Sequence, residues 1–596
     1  MHNLSNSTKF DFSKIAILII ALLVVFINLN SKPWKKGRVI HNDIVSYYCY
    51  LPAAIIHHDL TFQFAKANPE FYGNKYWPLK TPNGGEVVKM TMGLAILYLP
   101  FFLVGHMAAL ISGAAPDGYS LPYLISLQIS AVFYLLLGLI ILRKVLLQWF
   151  KTRTVGIVLL ATFIGTNMMH YCTLEATMSH VYSFFLYSLF FWLTVKFWEL
   201  PRLKNWILLG LLMGLISLIR PTNGIAILFF LLWGINSTTA IKDRFFFFIK
   251  NWQFTLIAVF LALAVWIPQL LYWKLATGNW LYYSYNSEGF FFLNPHIIDG
   301  IFSYRKGWLI YSPLMVLPLL GIIGLGIKKR LEWLLPILAF STVNIYIVFS
   351  WWSWWYGGGL GARPLIESYA LLTLPFAYIV NWIDEKMWRK IVGYSLLSVF
   401  ALYGLIVNFQ YRYMAIHWDS MSKAAYWDSF LRLKPSGRMN YLLQAPDYKS
   451  ALEGSDEILT NEKYHPIPQT IIYANNCDST SNACTEIYRS KGKAIAVNKP
   501  NQFGMTTEIT LQPNKKYIAE VWRYGNPNAM LVISNSDINF YASTKTTVEI
   551  EPAGWNRLVV EFTTPSSDST IPLTVYVWNP SRKKAYFDDL TIGEAL

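Results

Sequence analysis

The apolar residues of this chain come in long blocks, not in the alternating or one-sided patterns of a soluble fold. Runs near bilayer length lie at 14–30, 91–112, 121–142, 155–171, 181–199, 206–219, 224–237, 253–274, 308–327, 332–350, 364–382 and 391–410. A helix of about 20 apolar residues crosses a bilayer. After residue 415 the texture changes. Short β-rich segments at 516–524, 529–533, 546–551, 558–563 and 573–578 alternate with turn residues such as Gly525-Asn526-Pro527 and Asn579-Pro580-Ser581. That spacing predicts a β-sandwich. The expected organisation is a polytopic α-helical membrane domain over 1–415, a linker over 416–464 and an all-β sandwich over 465–596. The first apolar run is followed by Asn28-Leu29-Asn30-Ser31-Lys32, with no small-residue cleavage site, so it is expected to be a retained span.

Composition agrees with the membrane reading. Apolar residues make up 54% of the 596 and charged residues 14%, where soluble domains carry roughly 25% charge. So few charges could not solvate a soluble surface of this size, and a chain this apolar and aromatic does not stay disordered. With 35 Gly and 4 Cys, collagen-like and disulfide-scaffold classes are excluded. The net charge of +16 points to loops facing anionic lipid or binding phosphate. No basic, aromatic-interleaved soluble module is visible, so nucleic acid is not an expected partner.

Loop charge predicts orientation. Arg143, Lys144, Lys151 and Arg153 mark one basic loop. Lys242, Arg244 and Lys250 mark a second, Lys328, Lys329 and Arg330 a third, and Lys386, Arg389 and Lys390 a fourth. These belong on the cytoplasmic side. The intervening loops 170–180, 275–307 and 351–363 are poor in Lys and Arg and rich in aromatics. If every apolar run crossed, 143–153 would fall outside. The run 91–112, with Pro100 and His106, is therefore expected to dip into or lie along the outer leaflet as a juxtamembrane helix. Residues 31–120 then form one large outer region, about eleven spans remain, and the C-terminal domain lies outside. Lys32, Lys35, Lys36 and Arg38 run against the charge rule, which tolerates exceptions in long loops.

The outer loops hold the candidate chemistry. His41-Asn42-Asp43-Ile44-Val45-Ser46-Tyr47-Tyr48 places a carboxylate just past the first span. Asp43 suits a general base toward an acceptor hydroxyl, an oxygen ligand of a divalent metal, or simply a cap on a helix beginning at Ile44. Glu175 stands between His170 and His180 in a second outer loop, as base-orienter, metal ligand or hydrated loop carboxylate. No His/Cys spacing fits a tetrahedral zinc site. Arg305, Lys306 and Arg363 are cations on an otherwise cation-poor face, and an arginine fork matches phosphate. Arg220 alone is better explained by snorkelling to headgroups. Trp351-Trp352-Ser353-Trp354-Trp355-Tyr356 is an aromatic belt or, more sharply, a sugar-stacking platform.

Together these residues resemble the GT-C superfamily of integral membrane glycosyltransferases, over roughly residues 10–415. The carriers are Asp43 with Tyr47 and Tyr48, the acidic second loop with Glu175, and the Gly-rich Gly361-Ala362-Arg363. The resemblance implies a polyprenyl-phosphate-linked sugar donor and a glycan, lipid or protein acceptor. It also implies a juxtamembrane helix in the first outer loop and a multi-pass protein of a bacterial plasma membrane. By position, Asp43 would deprotonate the acceptor and Glu175 would assist it. Arg305, Lys306 and Arg363 would hold the donor phosphate, with Tyr47, Tyr48, His180, Trp354 and Trp355 as further substrate contacts. The first motif departs from the Asp-Glu pair of the lipid A aminoarabinose and protein mannosyl branches, and Glu175 stands where Asp is more usual. These departures bear on metal use and on the acceptor, and the resemblance implies no certain cofactor, with a divalent metal as one option.

The C-terminal Phe587-Asp588-Asp589 resembles the closing strand of a carbohydrate-binding-module jelly roll, many of which bind no sugar. Cys477 and Cys484 could form a local disulfide in an outer domain, and Cys49 and Cys172 read as packing residues. The alternative function is a lipid-linked glycan transporter or flippase. That class needs ionisable residues or broken helices near the midplane, whereas here nearly all ionisable residues stand at span ends.

Overall fold

The computed structural model describes residues 11–81, 84–436, 439–455, 470–475, 483–484, 487–489, 493–499, 501–551 and 553–595. They fall into two compact units. The first comprises 1–409 with 448–455, and the second 410–447 with 456–596. Cys477 and the side chain of Cys484 lie outside the described residues, while Cys49 and Cys172 are free and buried.

The first unit is helical. Its principal elements are α1 (Phe12–Ser31), α2 (Asp43–Tyr48), α3 (Gly93–Ser112), α4 (Leu121–Leu146), α5 (Ser179–Glu199), α6 (Leu203–Ile219), α7 (Trp252–Thr277), α8 (Leu331–Phe349), α9 (Tyr369–Ile383) and α10 (Met387–Arg412). Among the described residues, seven helices are long and apolar enough to cross a membrane: α1, α3, α4, α5, α7, α8 and α10. Several other expected runs are shorter helices of 10–17 residues. Pro221 ends α6 and opens a 3₁₀ turn, and Pro313 does the same after Trp308–Tyr311. Proline lacks the N–H that would continue the ladder. The run 308–327, continuous in hydropathy, is therefore broken in the backbone at Pro313.

Small residues let helices approach. Gly210 and Gly214, one turn apart on α6, face Ala258 and Ala262 of α7 so closely that a Cβ would overlap that backbone. This is the small-residue packing expected inside a membrane. Polar side chains fix the α1–α4 pair at both ends. Arg143 near the end of α4 binds Asp11 before α1, and Gln128 in the first half of α4 donates to Asn28 near the end of α1 at 2.7 Å. The pair is thus antiparallel, and residues 31 and 121 lie at the same end of it. Both flanks of α3 are tied to one neighbouring segment. Tyr48 donates to the Gly118 carbonyl beyond its C-terminus, and Tyr50 donates to the Met90 carbonyl before its N-terminus at 2.6 Å.

The 416–464 region, expected as a linker, carries the helices Lys423–Ser429 and Tyr448–Glu453. The second of these belongs to the membrane unit, where Ala451 packs with Trp354 and Trp355.

The second unit holds two antiparallel sheets. One runs Thr547–Ile550, Asn556–Thr563, Lys516–Gly525, Ala585–Glu594, Ala494–Val497, Ala483–Cys484, with Thr470–Asn475 also paired to Ala585–Glu594. The other runs Phe503–Leu511, Ile571–Trp578, Met530–Asn535, Phe540–Thr544. Period-two alternation builds the core: Ile571, Leu573, Val575 and Val577 are buried while Pro572 is exposed, and they join Val521, Ile533, Leu558 and Phe587. The Phe587-Asp588-Asp589 strand lies inside its sheet. Its register shifts between Asp588 and Thr591, and Arg489 pairs with Asp589 at 2.6 Å.

Candidate active site

Asp43 is the first residue of α2, and its carboxylate does not serve as a local cap. It accepts instead from Arg363 Nη2 at 3.1 Å, across 320 residues of chain. Sequence left the cap reading open because it could not see this long-range partner. The pair lies on the wall of a cavity of about 310 Å³, the size of a small-ligand pocket. Tyr47, Lys89, Arg220 and Asn223 contribute to the same wall, and Tyr283, Tyr285, Phe290, Trp351, Trp352 and Tyr448 give it an aromatic side.

The loop that presents Arg363 is built for one conformation. Gly357 and Gly361 have φ of 61° and 58°, where a side chain would be strained. A Cβ on Gly359 would meet the Tyr171 hydroxyl at 2.4 Å. Tyr171 Oη accepts from the Leu360 amide at 2.8 Å, and Asn167 Nδ2 donates to the Leu360 carbonyl at 3.0 Å. Lys306 donates to the Gly359 carbonyl. Arg363 thus emerges from a stitched loop with its guanidinium largely buried, and its Nε has no hydrogen-bond partner among the described residues. Burial works against its charge, but Asp43, Tyr171 and Glu175 outweigh it and raise its pKa.

Glu175 stands behind this pair. Burial opposes its ionisation, yet His170 at 3.5 Å, Arg363 and His41 prevail and hold the carboxyl down at about 2. It is an ionised neighbour of the cavity and is not among the residues lining it.

The other expected site residues are distributed differently. Arg305 and Lys306 are buried at 6% and 2% exposure and are not cavity-lining. Arg305 lies over the rings of Trp355 and Trp354, 5.2 and 5.7 Å from their centroids. These four residues pack behind the site, and Trp351 and Trp352 are the tryptophans that reach the cavity. Tyr48 is buried among Tyr98, Phe102 and Tyr119 and does not line the cavity. His180 is fully buried, with Nδ1 3.2 Å from Glu367 Oε1.

Three residues near the site, Lys89, Glu288 and Glu367, were not singled out from sequence. Lys89 pairs with Glu288, whose other oxygen accepts from Trp352 Nε1 at 3.0 Å. Nothing local in sequence marks that pair. Arg220, read from sequence as snorkelling to headgroups, faces the cavity and pairs with Glu367 at 3.3 Å. Glu367 carried a usable signal, because a lone acid inside the apolar run 364–382 is costly unless it has a role.

Among the described residues no three His, Cys, Asp or Glu side chains group closely enough to hold an ion. The counter-charge beside Asp43 is Arg363.

No protein-family model and no curated protein matches the chain. Among solved structures, the arabinosyltransferase EmbB from Mycobacterium smegmatis aligns over 100% of this chain and 66% of its own, at 9% identity and a TM-score of 0.31. An apo-form cyclase from Fischerella sp. aligns over 21% of this chain and 73% of its own, at 18% identity and a TM-score of 0.16. At these scores neither likeness carries an assignment, and the functional argument rests on the cavity itself.

Proposed function

We propose that this protein is a membrane glycosyltransferase. It moves a sugar from a polyprenyl-phosphate donor to an acceptor hydroxyl on the extracytoplasmic face of a bacterial plasma membrane. The observation that carries the reading is the Asp43–Arg363 pair in a cavity that Arg220 and an aromatic wall also line. Two guanidinium groups in one small cavity favour an anion between them, and arginine matches the planar oxygens of phosphate. The aromatic wall suits the apolar faces of a sugar ring.

When the donor phosphate occupies Arg363 and Arg220, Asp43 gives up its ion pair and accepts the proton of the acceptor hydroxyl. That oxygen forms the new bond to the anomeric carbon. The bond from anomeric carbon to phosphate oxygen breaks, and the electron pair leaves on the polyprenyl phosphate. The two arginines stabilise the charge that builds there. Relative to the sequence expectation, the phosphate role passes from Arg305 and Lys306 to Arg220 beside Arg363. Lys306 instead holds the loop.

The test is transfer by the purified protein from polyprenyl-phosphate sugars. Asp43→Asn is expected to lower the rate by about 10²–10⁴, the usual contribution of a general base. Undiminished transfer by this variant would remove Asp43 from the chemistry. Movement of an intact lipid-linked glycan with no bond made would replace the enzyme with a transporter.

A further inference from the structure

Behind Arg220 lies a buried carboxylate, Glu367, that the transfer step does not use. Glu367 is 2% exposed. Its Oε1 takes both Arg220 Nη1 at 3.3 Å and His180 Nδ1 at 3.2 Å. Its Oε2 is buried with no hydrogen-bond partner among the described residues. A carboxylate in this position is costly, and removing one partner of such a pair leaves the other charge uncompensated. A structure that keeps it needs what it holds.

The local chain explains what that is. Arg220 ends α6, and Pro221 prevents the helix from continuing. Its guanidinium is anchored across the chain, by Glu367. Glu367 lies one turn beyond Arg363, between the 3₁₀ turn Arg363–Leu365 and α9. A single segment thus carries one member of each of the two ion pairs: Arg363 to Asp43, and Glu367 to Arg220. Asn223, three residues past Arg220, lines the cavity at 8% exposure with its Nδ2 unpartnered among the described residues. It offers a second donor beside the anchored arginine.

We infer that Glu367 is a positioning residue, which holds the Arg220 fork so that its remaining N–H groups, with the Asn223 amide, bind the phosphate of a lipid-linked donor. His180 completes the anchor by fixing the same carboxylate oxygen from the side of α5. This role rests on the glycosyltransferase reading above, because it requires a lipid phosphate in the cavity.

The experiment measures binding of a sugar-free polyprenyl phosphate to the full-length protein, with thermal unfolding run in parallel. Wild type, Glu367→Gln, Arg220→Gln and the double variant form a cycle. Each single substitution is expected to weaken binding roughly tenfold or more, and the double variant no further than Arg220→Gln alone. In transfer assays Glu367→Gln raises the donor KM and leaves the acceptor KM unchanged. Glu367→Asp, which keeps the charge, retains more affinity than Glu367→Gln and serves in its place if the Gln variant does not fold. Effects that multiply in the double variant, or wild-type affinity in Glu367→Gln, overturn the positioning role while leaving the transferase reading intact. A folded wild-type protein that binds no polyprenyl phosphate overturns the donor reading and this role with it.

Discussion

Asp43 and Arg363 show how much of the chemistry depends on single side chains meeting. Both were legible as candidates, because acids and cations are scarce in the outer loops of a chain with 14% charged residues. Their pairing was not, since it joins residues 320 apart. The fork of Arg363 serves Asp43 through Nη2, and its Nε is buried without a hydrogen-bond partner among the described residues. Arg363→Lys keeps the charge but loses that geometry. It is expected to lower transfer about tenfold or more, as the loss of a charge-assisted bond does, with unfolding temperature nearly unchanged. Wild-type transfer by the Lys variant would show that charge alone suffices. Glu175 makes a separate prediction. Its pKa is held down at about 2, so its stabilising contribution is present above the ordinary carboxylate range and is lost only as pH falls toward that value. Between about pH 5 and 8 it stays ionised. Glu175→Gln is therefore expected to change the amplitude of a transfer-versus-pH profile without removing a limb. A limb that vanishes in this variant would mean Glu175 titrates there.

Helices were the most readable scale. The long runs at 121–142, 253–274 and 391–410 reappear as α4, α7 and α10 with small shifts in their ends. Hydropathy says only that a segment tolerates lipid, and it does not register a proline break. The run at 308–327 therefore looked like a span although Pro313 interrupts its backbone, and the helix in 224–237 ends at Leu232. The same limit applies to α3, which is long and apolar enough to cross. The antiparallel α1–α4 pair puts residues 31 and 121 at one end, and Tyr48 and Tyr50 tie both flanks of α3 to adjacent turns. The loop charges predict that α3 lies in the outer leaflet. Cysteines introduced at Gly84 and Asp117 are then expected to react with an impermeant reagent from outside intact cells. Labelling of position 117 only after the cytoplasmic face is opened would make α3 a crossing.

At the scale of the whole molecule, a helical unit with seven long apolar helices among the described residues is joined to a unit of two antiparallel sheets. The basic loops between helices predict that the second unit is extracytoplasmic. A protease-cleavable tag after residue 596 is expected to be removed from intact spheroplasts, and its protection there would invert the topology. Composition and periodicity by themselves established the two architectures, because burial in lipid and alternation in a sheet are both written locally in residue order. They also named Asp43 and Arg363, because a charge beside a membrane stands out against an apolar background. The cavity was decided only by tertiary structure. Glu367 and Lys306 each find their partners across long stretches of chain, and whether a cation faces a ligand or braces a loop depends on what folds beside it.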